Sequence, residues 1–409
     1  MSDVHDDEEI GIGLIGAGWM GSVHAASYRR VTEHYPDLGA RPRLVIVADP
    51  IEQRARAAAK RYGFEQWTTD PDDVVRHPAV QAVSLTTTNN MHRPLALALA
   101  DHGKHYWGEK PLGRYPSETR EIAAAAANAG IRTLVGYNYR HAPAVVHARE
   151  LIAAGELGEV RTYRGVFLVD YASHPQRAFS WRFSREVSGL GVLGDLMSHV
   201  VDLAQSFAGP IDAVTAESAI QIARRPRASD GQADQFSVAD GVLTDVENED
   251  YVASLAHFAA GAKATFEVSR VNVGHPLRMA FEVRGTVGAI AWDFQRMGEL
   301  QLYRSSDHDA GFRRVFVGPM HGDFGRFQPD AGNPMSYNDL KVIEAKLFLR
   351  SVLEGIDAVP SVREALATAE VLDAMQRSFG SGAWESVMQI SSSATPADLG
   401  RQASESRRG

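Results

Sequence analysis

A short apolar run from Ile10 to Ile15 leads directly into Gly16-Ala17-Gly18-Trp19-Met20-Gly21. This is the tightest constraint on the fold: a buried strand must end in a glycine turn and give way to a helix. Gly16 allows the tight turn, Gly18 lets a pyrophosphate approach the backbone, and Gly21 permits close packing of helix on strand. The helix N-terminus beyond it offers free N–H groups and a partial positive charge to phosphates. The next segments fit a dinucleotide-binding unit. Helix-compatible residues run from Trp19 to Glu33, and a second strand, Leu44 to Ala48, ends at Asp49. Asp49 lies 28 positions beyond Gly21, rather than the usual ~20, and a polar insertion from Thr32 to Arg43 accounts for the excess. A carboxylate there accepts from a ribose 2′-hydroxyl and repels a 2′-phosphate, which favours NAD, while Arg54 and Arg56 leave NADP open.

The alternation continues. A helix is expected from about Ile51 to Tyr62, stopped by Gly63, then a strand from Val80 to Thr86 and a polar turn through Asn90. Another helix is expected from Arg93 to Asp101, and a third, capped by Ser117, runs to Gly130. Strands alternating with helices of about a dozen residues imply a doubly wound parallel sheet with right-handed crossovers. After Leu134 the pattern changes. Val160 to Val169 reads as a long strand, and Tyr251–Phe258 with Ala262–Ser269 as a hairpin. Phe281 and Val283, then Ile290, Trp292 and Phe294, alternate across a turn at Gly285 to Gly288. This half is expected to be an α/β domain with a large, mostly antiparallel sheet. The expected division is a disordered segment 1–9, a nucleotide-binding domain 10–135, a second domain 136–390 and a flexible tail 391–409. Arg224 to Asp234, rich in breakers, reads as a mobile loop.

A net charge of -9 argues against nucleic acid or an anionic membrane as the main partner. Apolar content of 44% and charged content of 23% are ordinary for a globular enzyme. No apolar run approaches the ~20 residues of a membrane span. The acidic start lacks the basic and apolar regions of a secretory signal, so a cytoplasmic protein is expected. The chain has no cysteine, which excludes disulfides, thiolate metal sites and cysteine nucleophiles.

The chemistry-bearing residues gather around Glu109-Lys110-Pro111 and Asp195-Leu196-Met197-Ser198-His199. Tyr106 and Lys110 match a Tyr-x-x-x-Lys pattern that works only on a helix, and Gly108 and Pro111 break any helix there. A strand through His105 and Tyr106 that delivers Lys110 at its carboxyl end is the better account, because ligands of open parallel sheets bind at that edge. A Lys-Pro bond can also be cis, which would fix the lysine's direction.

With these pieces the sequence resembles the Gfo/Idh/MocA oxidoreductases over most of its length. The glycine motif, Thr87-Thr88-Asn89-Asn90-Met91-His92, Gly103-Lys104-His105, Glu109-Lys110-Pro111, Gly136-Tyr137-Asn138-Tyr139-Arg140 and Gly194-Asp195 through Asp202 carry the likeness. It departs at Thr88, where the family usually has proline, and at Leu190, within a commonly glycine-rich stretch. The resemblance implies an N-terminal Rossmann domain and a C-terminal α/β domain whose open sheet often forms homo-oligomers, here a dimer or tetramer. It implies cofactor contacts from Gly16, Gly18, Trp19, Met20, Asp49, Thr87, Asn89, His92, Glu109, Lys110 and Asn138. Asp195 and His199, four apart, would share a helix face. In the implied mechanism His199 removes the alcohol proton, Lys110 stabilises the reacting oxygen, and Asp195 binds a neighbouring hydroxyl or orients the histidine. One Asp/His pair supplies only two ligands, so no metal is expected. Asp202 reads as helix-stabilising.

The substrate half is similar to the levoglucosan dehydrogenase and inositol dehydrogenase branch. Ser180-Trp181-Arg182-Phe183, Gly191 to Asp195, Trp292 to Leu300, Gly311 to Val315 and Gly318-Pro319 carry this. It implies oxidation of a secondary hydroxyl of a cyclic polyol or sugar, C3 of a glucose-like ring included, with Tyr139, Asp170 and Arg182 as substrate contacts beside Lys110, Asp195 and His199. Two other readings compete: a glycosidase- or epimerase-like enzyme that uses bound NAD transiently, and a non-catalytic NAD-sensing regulator.

Overall fold

The computed structural model of the chain describes residues 7–228, 236–308 and 311–390. Its first half alternates β1 (Glu8–Ile15), α1 (Trp19–His34), β2 (Ala40–Ala48), α2 (Glu52–Tyr62), β3 (Gln66–Thr68) and α3 (Pro71–Arg76). It continues with β4 (Ala82–Leu85), α4 (Asn89–Asp101), β5 (His105–Gly108), α5 (Pro116–Ala129) and β6 (Thr133–Val135). All six strands are parallel, in the order β3-β2-β1-β4-β5-β6. The order reverses between β1 and β4, and the crevice at such a switch point is where open α/β sheets bind ligands. From Ile10 to Ile15 every residue of β1 is buried, as expected of a strand covered by helices on both faces.

Several boundaries differ from the sequence reading. β1 begins at Glu8, so residues 8 and 9 of the expected disordered segment pair with Ala40 and Arg41, while residues 1–6 lie outside the described part. The supposed insertion from Thr32 to Arg43 is mostly the end of α1 and the first half of β2. Its polar residues sit on the sheet's rim, where Arg43 pairs with Glu9 at 3.1 Å. α4 starts at Asn89 rather than Arg93 and carries Pro94 inside it. α5 opens with Pro116 as its first residue, and Ser117 is not its cap. A proline's fixed φ suits the first helical turn, where its missing N–H costs nothing.

The second half contains α6 (Pro143–Ala153), β7 (Val160–Val169), α7 (Arg185–Ser188), α8 (Ser198–Ala208) and β8 (Ile211–Ala219). A short ribbon pairs β9 (Arg224–Pro226) with β10 (Leu243–Asp245). Thus the start of the segment expected to be a loop is paired, and residues 229–235 lie outside the described part. Then come β11 (Tyr251–Phe258), β12 (Lys263–Ser269), β13 (Leu277–Gly285), β14 (Gly288–Asp293), β15 (Glu299–Arg304) and β16 (Arg313–Phe316). The described chain ends with α9 (Tyr337–Glu354), α10 (Val362–Ser381) and β17 (Glu385–Ser386), and the expected flexible tail 391–409 lies outside it.

The large sheet has nine strands in the order β16-β15-β14-β13-β7-β12-β11-β8-β17. Only β7 and β12 run parallel, so the sheet is mostly antiparallel, as expected. Both expected hairpins form, with Tyr251 opposite Ser269 and Arg284 opposite Ala289. One face of β11 (Val252, Ala256, Phe258) enters the core that also holds residues of α8 and α10, and the other leaves Leu255 exposed.

A single cut near residue 135 does not separate the two cores. From α9, Val342, Ala345, Phe348 and Leu349 pack with Ile10, Ile12 and Tyr28 of the first domain, whereas Leu340 and Ile343 belong to the second. The chain therefore returns to the nucleotide-binding domain after building the large sheet. Ser336 and Ser361 start α9 and α10 with capping boxes. One helical run, Arg185–Ala208, is long and apolar enough to cross a membrane by length and composition alone. Its apolar window is 89% buried by protein, so that apolarity serves the core.

Candidate active site

At the switch point the glycines do what their spacing requires. Gly16 has φ +97°, and a Cβ on Gly21 would sit 1.9 Å from the Gly16 carbonyl oxygen. A Cβ on Gly18 would meet nothing within 4 Å, so the backbone there is open to a ligand. Gly18 precedes α1 with no side-chain cap, leaving the first N–H groups of the helix for a phosphate. Asp49 lies at the end of β2 as expected. Its Oδ2 accepts from the Ala17 N–H and its Oδ1 from the Ile51 N–H, each at 2.9 Å, so it also holds the turn. Asn138, 1% exposed, has neither amide atom hydrogen-bonded, an unmet polar group of the kind a bound ligand satisfies. These residues fit a dinucleotide. Gly18→Val is expected to raise the dissociation constant of NADH roughly tenfold or more, about 1.4 kcal/mol, with little change in melting temperature. Fluorescence titration beside thermal melting checks this.

Lys110 leaves the carboxyl end of β5 through a cis Lys110-Pro111 bond. Tyr106 is fully buried within β5, so it forms no catalytic pair with the lysine. The Lys110 ammonium donates to Asp195 Oδ1 at 2.7 Å and to the Asp195 carbonyl at 2.8 Å. Asp195 does not sit on an ordinary helix. Leu193–Met197 is a π-helical turn that runs into α8, and such turns are frequent at functional sites. Tyr171 donates to Asp195 Oδ2 at 3.4 Å. Burial alone would raise the Asp195 carboxyl, but the Lys110 ammonium and the Arg182 guanidinium outweigh it and hold it below the usual carboxylate range.

His199, at the start of α8, is 7% exposed, and its Nδ1 is buried with no hydrogen-bond partner. Burial first, then the Lys110 ammonium, hold its imidazole well below the usual value against the opposing pull of Asp195. Tyr139 packs edge-on against it with ring centroids 5.0 Å apart, so its ring helps wall the site. Arg182 lies over the Trp181 ring at 4.5 Å, and Asp170 follows the last residue of β7.

Four residues that the resemblance assigns to the cofactor make the following contacts within the protein. Asn89 donates its amide to the Ser188 carbonyl at 2.8 Å and ties α4 to the second domain. His92 lies between the Pro111 and Thr87 carbonyls, at 2.9 and 3.2 Å, so it braces the turn that carries Lys110. Thr87 supplies one of those carbonyls, and its hydroxyl donates to the Thr88 carbonyl at 3.3 Å. The Glu109 carboxylate turns inward, accepting from Lys341 Nζ at 2.5 Å and His24 Nε2 at 3.1 Å. Asp202 is indeed structural: it accepts from Arg140 Nε at 2.6 Å and Nη2 at 2.7 Å.

Tyr171, Tyr337 and Lys341 escaped the sequence reading. Tyr337 stacks on Trp19 (ring centroids 5.8 Å apart, Trp19 63% exposed) and also lies against Tyr139 and Phe294. The Ser336-x-x-Asp339 capping box marks this helix start in the sequence. No local pattern shows that the helix returns to the glycine turn. Among the described residues, no three His, Asp or Glu side chains are grouped to hold a metal.

Fold and glycine turn together define a two-domain, NAD-binding oxidoreductase. Residues 10–137 match the family model for the NAD-binding Rossmann fold of the oxidoreductase family, and residues 145–291 match the GFO/IDH/MocA C-terminal domain. The chain belongs to the Gfo/Idh/MocA oxidoreductases, as its motifs suggested. It is 33% identical to levoglucosan dehydrogenase of Pseudarthrobacter phenanthrenivorans over 94% of this chain and 100% of that one. It is 29% identical to scyllo-inositol 2-dehydrogenase (NAD(+)) of Bacillus subtilis over 69% of this chain and 74% of that one. A solved levoglucosan dehydrogenase structure, in complex with NADH and L-sorbose, superposes with a TM-score of 0.89 at 32% identity, covering 94% of this chain and all (100%) of that one.

Proposed function

We propose that this chain oxidises a secondary hydroxyl of a cyclic polyol or sugar, with Lys110, Asp195 and His199 as the reacting groups. The observation that carries this reading is their convergence: the Lys110 ammonium on Asp195 at 2.7 Å, with a buried His199, its Nδ1 without a hydrogen-bond partner, four residues further on. NAD, when bound, supplies the hydride acceptor. His199 takes the hydroxyl proton, because burial keeps its imidazole neutral and ready to accept. Lys110 donates to the same oxygen and offsets the negative charge that grows on it. Asp195 holds the lysine and accepts from a neighbouring hydroxyl. Arg182 and Asp170 bind further hydroxyls, and Tyr139 walls the site. The likeness to levoglucosan and inositol dehydrogenases supports a ring substrate rich in hydroxyls.

The test is absorbance of reduced nicotinamide with levoglucosan, scyllo- and myo-inositol, monosaccharides and glycosides. At least one should give net reduction with NAD, and no turnover with any of them would overturn the reading.

The pH profile has a definite sign. The base must be neutral, and His199 is held below its ordinary 6.5. Activity should therefore persist through neutral pH, with the acid limb of kcat/KM lying below 6.5. A limb above that value would assign the proton transfer to another group.

A further inference from the structure

Lys341 is the most deeply placed cation near this site, 0% exposed, on a helix that the sequence reading did not connect to the catalysis. It lies on α9 where the two cores meet, between Leu340 and Val342, which belong to different clusters. Its ammonium passes 5.5 Å from the Trp107 ring centroid, donates to Glu109 Oε1 at 2.5 Å and lies 2.8 Å from Glu344 Oε2. The same Glu109 oxygen accepts from His24 Nε2 of α1 at 3.1 Å. With that proton assigned, His24 Nδ1 accepts from Ser84, whose oxygen in turn accepts from Tyr28 at 3.1 Å. On the remaining side Glu109 is packed against Gly136, where a Cβ would fall 2.5 Å from Oε1. One carboxylate is thus gripped by α1, by α9 and by the segment after β6. It belongs to the residue immediately before Lys110.

We infer that Lys341 is a positioning residue for Lys110: by fixing Glu109 it sets the turn that aims the Lys110 ammonium at Asp195. The charges are consistent with this. Burial, outweighing the nearby Lys341 ammonium, pushes Glu344 up to about 8, and burial brings His24 down to about 4, so both are neutral near pH 7. Glu109 and Lys341 then form a neutral buried pair. Losing either partner strands the other's charge in the interior, and the turn must move or take up a proton. The other end of the turn is held separately, by His92 on the Pro111 carbonyl at 2.9 Å, so a loosened Glu109 frees one side only. α9 also brings Tyr337, one helical turn earlier, onto Trp19 of the glycine turn. The helix therefore links the cofactor-binding loop and the catalytic lysine.

The inference rests on Lys110 working at this site, so two readouts separate it from the proposed reaction. In activity, Lys341→Met should lower kcat about tenfold or more, the scale of a small misplacement of a reacting group, with NADH affinity within about threefold of wild type. Combined with Glu109→Gln, the loss should be no greater than the larger single loss, because both changes break one link. Losses that multiply would overturn the inference. Independently of any substrate, Lys110 should become more reactive to reductive methylation in Lys341→Met, by about threefold or more as the turn opens locally. Mass spectrometry reads this against exposed Lys60 as the control. Unchanged labelling of Lys110 would overturn the inference even if the enzyme turned over no sugar. If Lys341→Met does not fold, Glu109→Gln alone should raise the labelling, and its failure to do so is equally decisive.

Discussion

Lys110→Met is expected to lower kcat by about 100-fold or more, the usual cost of removing a donor aimed at a developing oxyanion. Methionine keeps the length of the side chain and removes the charge. Two things then fail together. The reacting oxygen loses its cation, and Asp195 loses the charge that outweighs its burial, so its carboxyl rises. Because Lys110 donates to Asp195 rather than to the glycine turn, NADH affinity should stay within about threefold of wild type, a difference under 1 kcal/mol. His199→Ala should cost a similar factor through loss of the base. Steady-state kinetics with a fluorescence titration of NADH separates the two effects. A Lys110 variant that turns over at the wild-type rate would remove the lysine from the chemistry.

The second large effect is on stability. Asp202→Ala is expected to destabilise the fold by about 3–5 kcal/mol, because it strands the buried Arg140 guanidinium. Arg140 and Asp202 form a two-pronged pair at 2.6 and 2.7 Å, side chains 8% and 1% exposed, joining α8 to the turn after β6. On a chain of 409 residues that loss corresponds to roughly 3–6 °C in melting temperature. Differential scanning calorimetry checks it. A shift of only a degree or two would mean that water reaches the guanidinium in the variant.

The apolar strands were legible in the sequence because their pattern has no rival. Val160–Val169 and Tyr251–Phe258 lie where alternation and β-branched residues placed them. The first half of β2 was not, since its charged residues satisfy themselves with partners such as Glu9 and so look like a loop. In the site, residue type and position drew attention to Lys110, Asp195 and His199, and the fold brings Lys110 onto Asp195 at 2.7 Å. The protein partners of His92, Asn89 and Glu109 were not legible. These polar side chains flank the cleft in sequence, yet they spend their hydrogen bonds on the Pro111 and Ser188 carbonyls and on Lys341. Lys341 lies 232 residues from Glu109, and no local pattern can pair them. The π turn at Leu193–Met197 is likewise set by tertiary packing rather than by any local spacing.

Isotope transfer distinguishes net hydride transfer from a carbinol carbon from transient redox on the enzyme. The chain is mixed with NAD and a sugar or inositol that the absorbance panel selects, deuterated at the carbon to be oxidised, and the released cofactor is weighed by mass spectrometry. Deuterium is predicted in free reduced nicotinamide, in proportion to ketone formed, with its near disappearance in Lys110→Met. Turnover of the sugar with no deuterium leaving in the cofactor would rule out net oxidation, and would show instead that the hydride returns to the product on the enzyme.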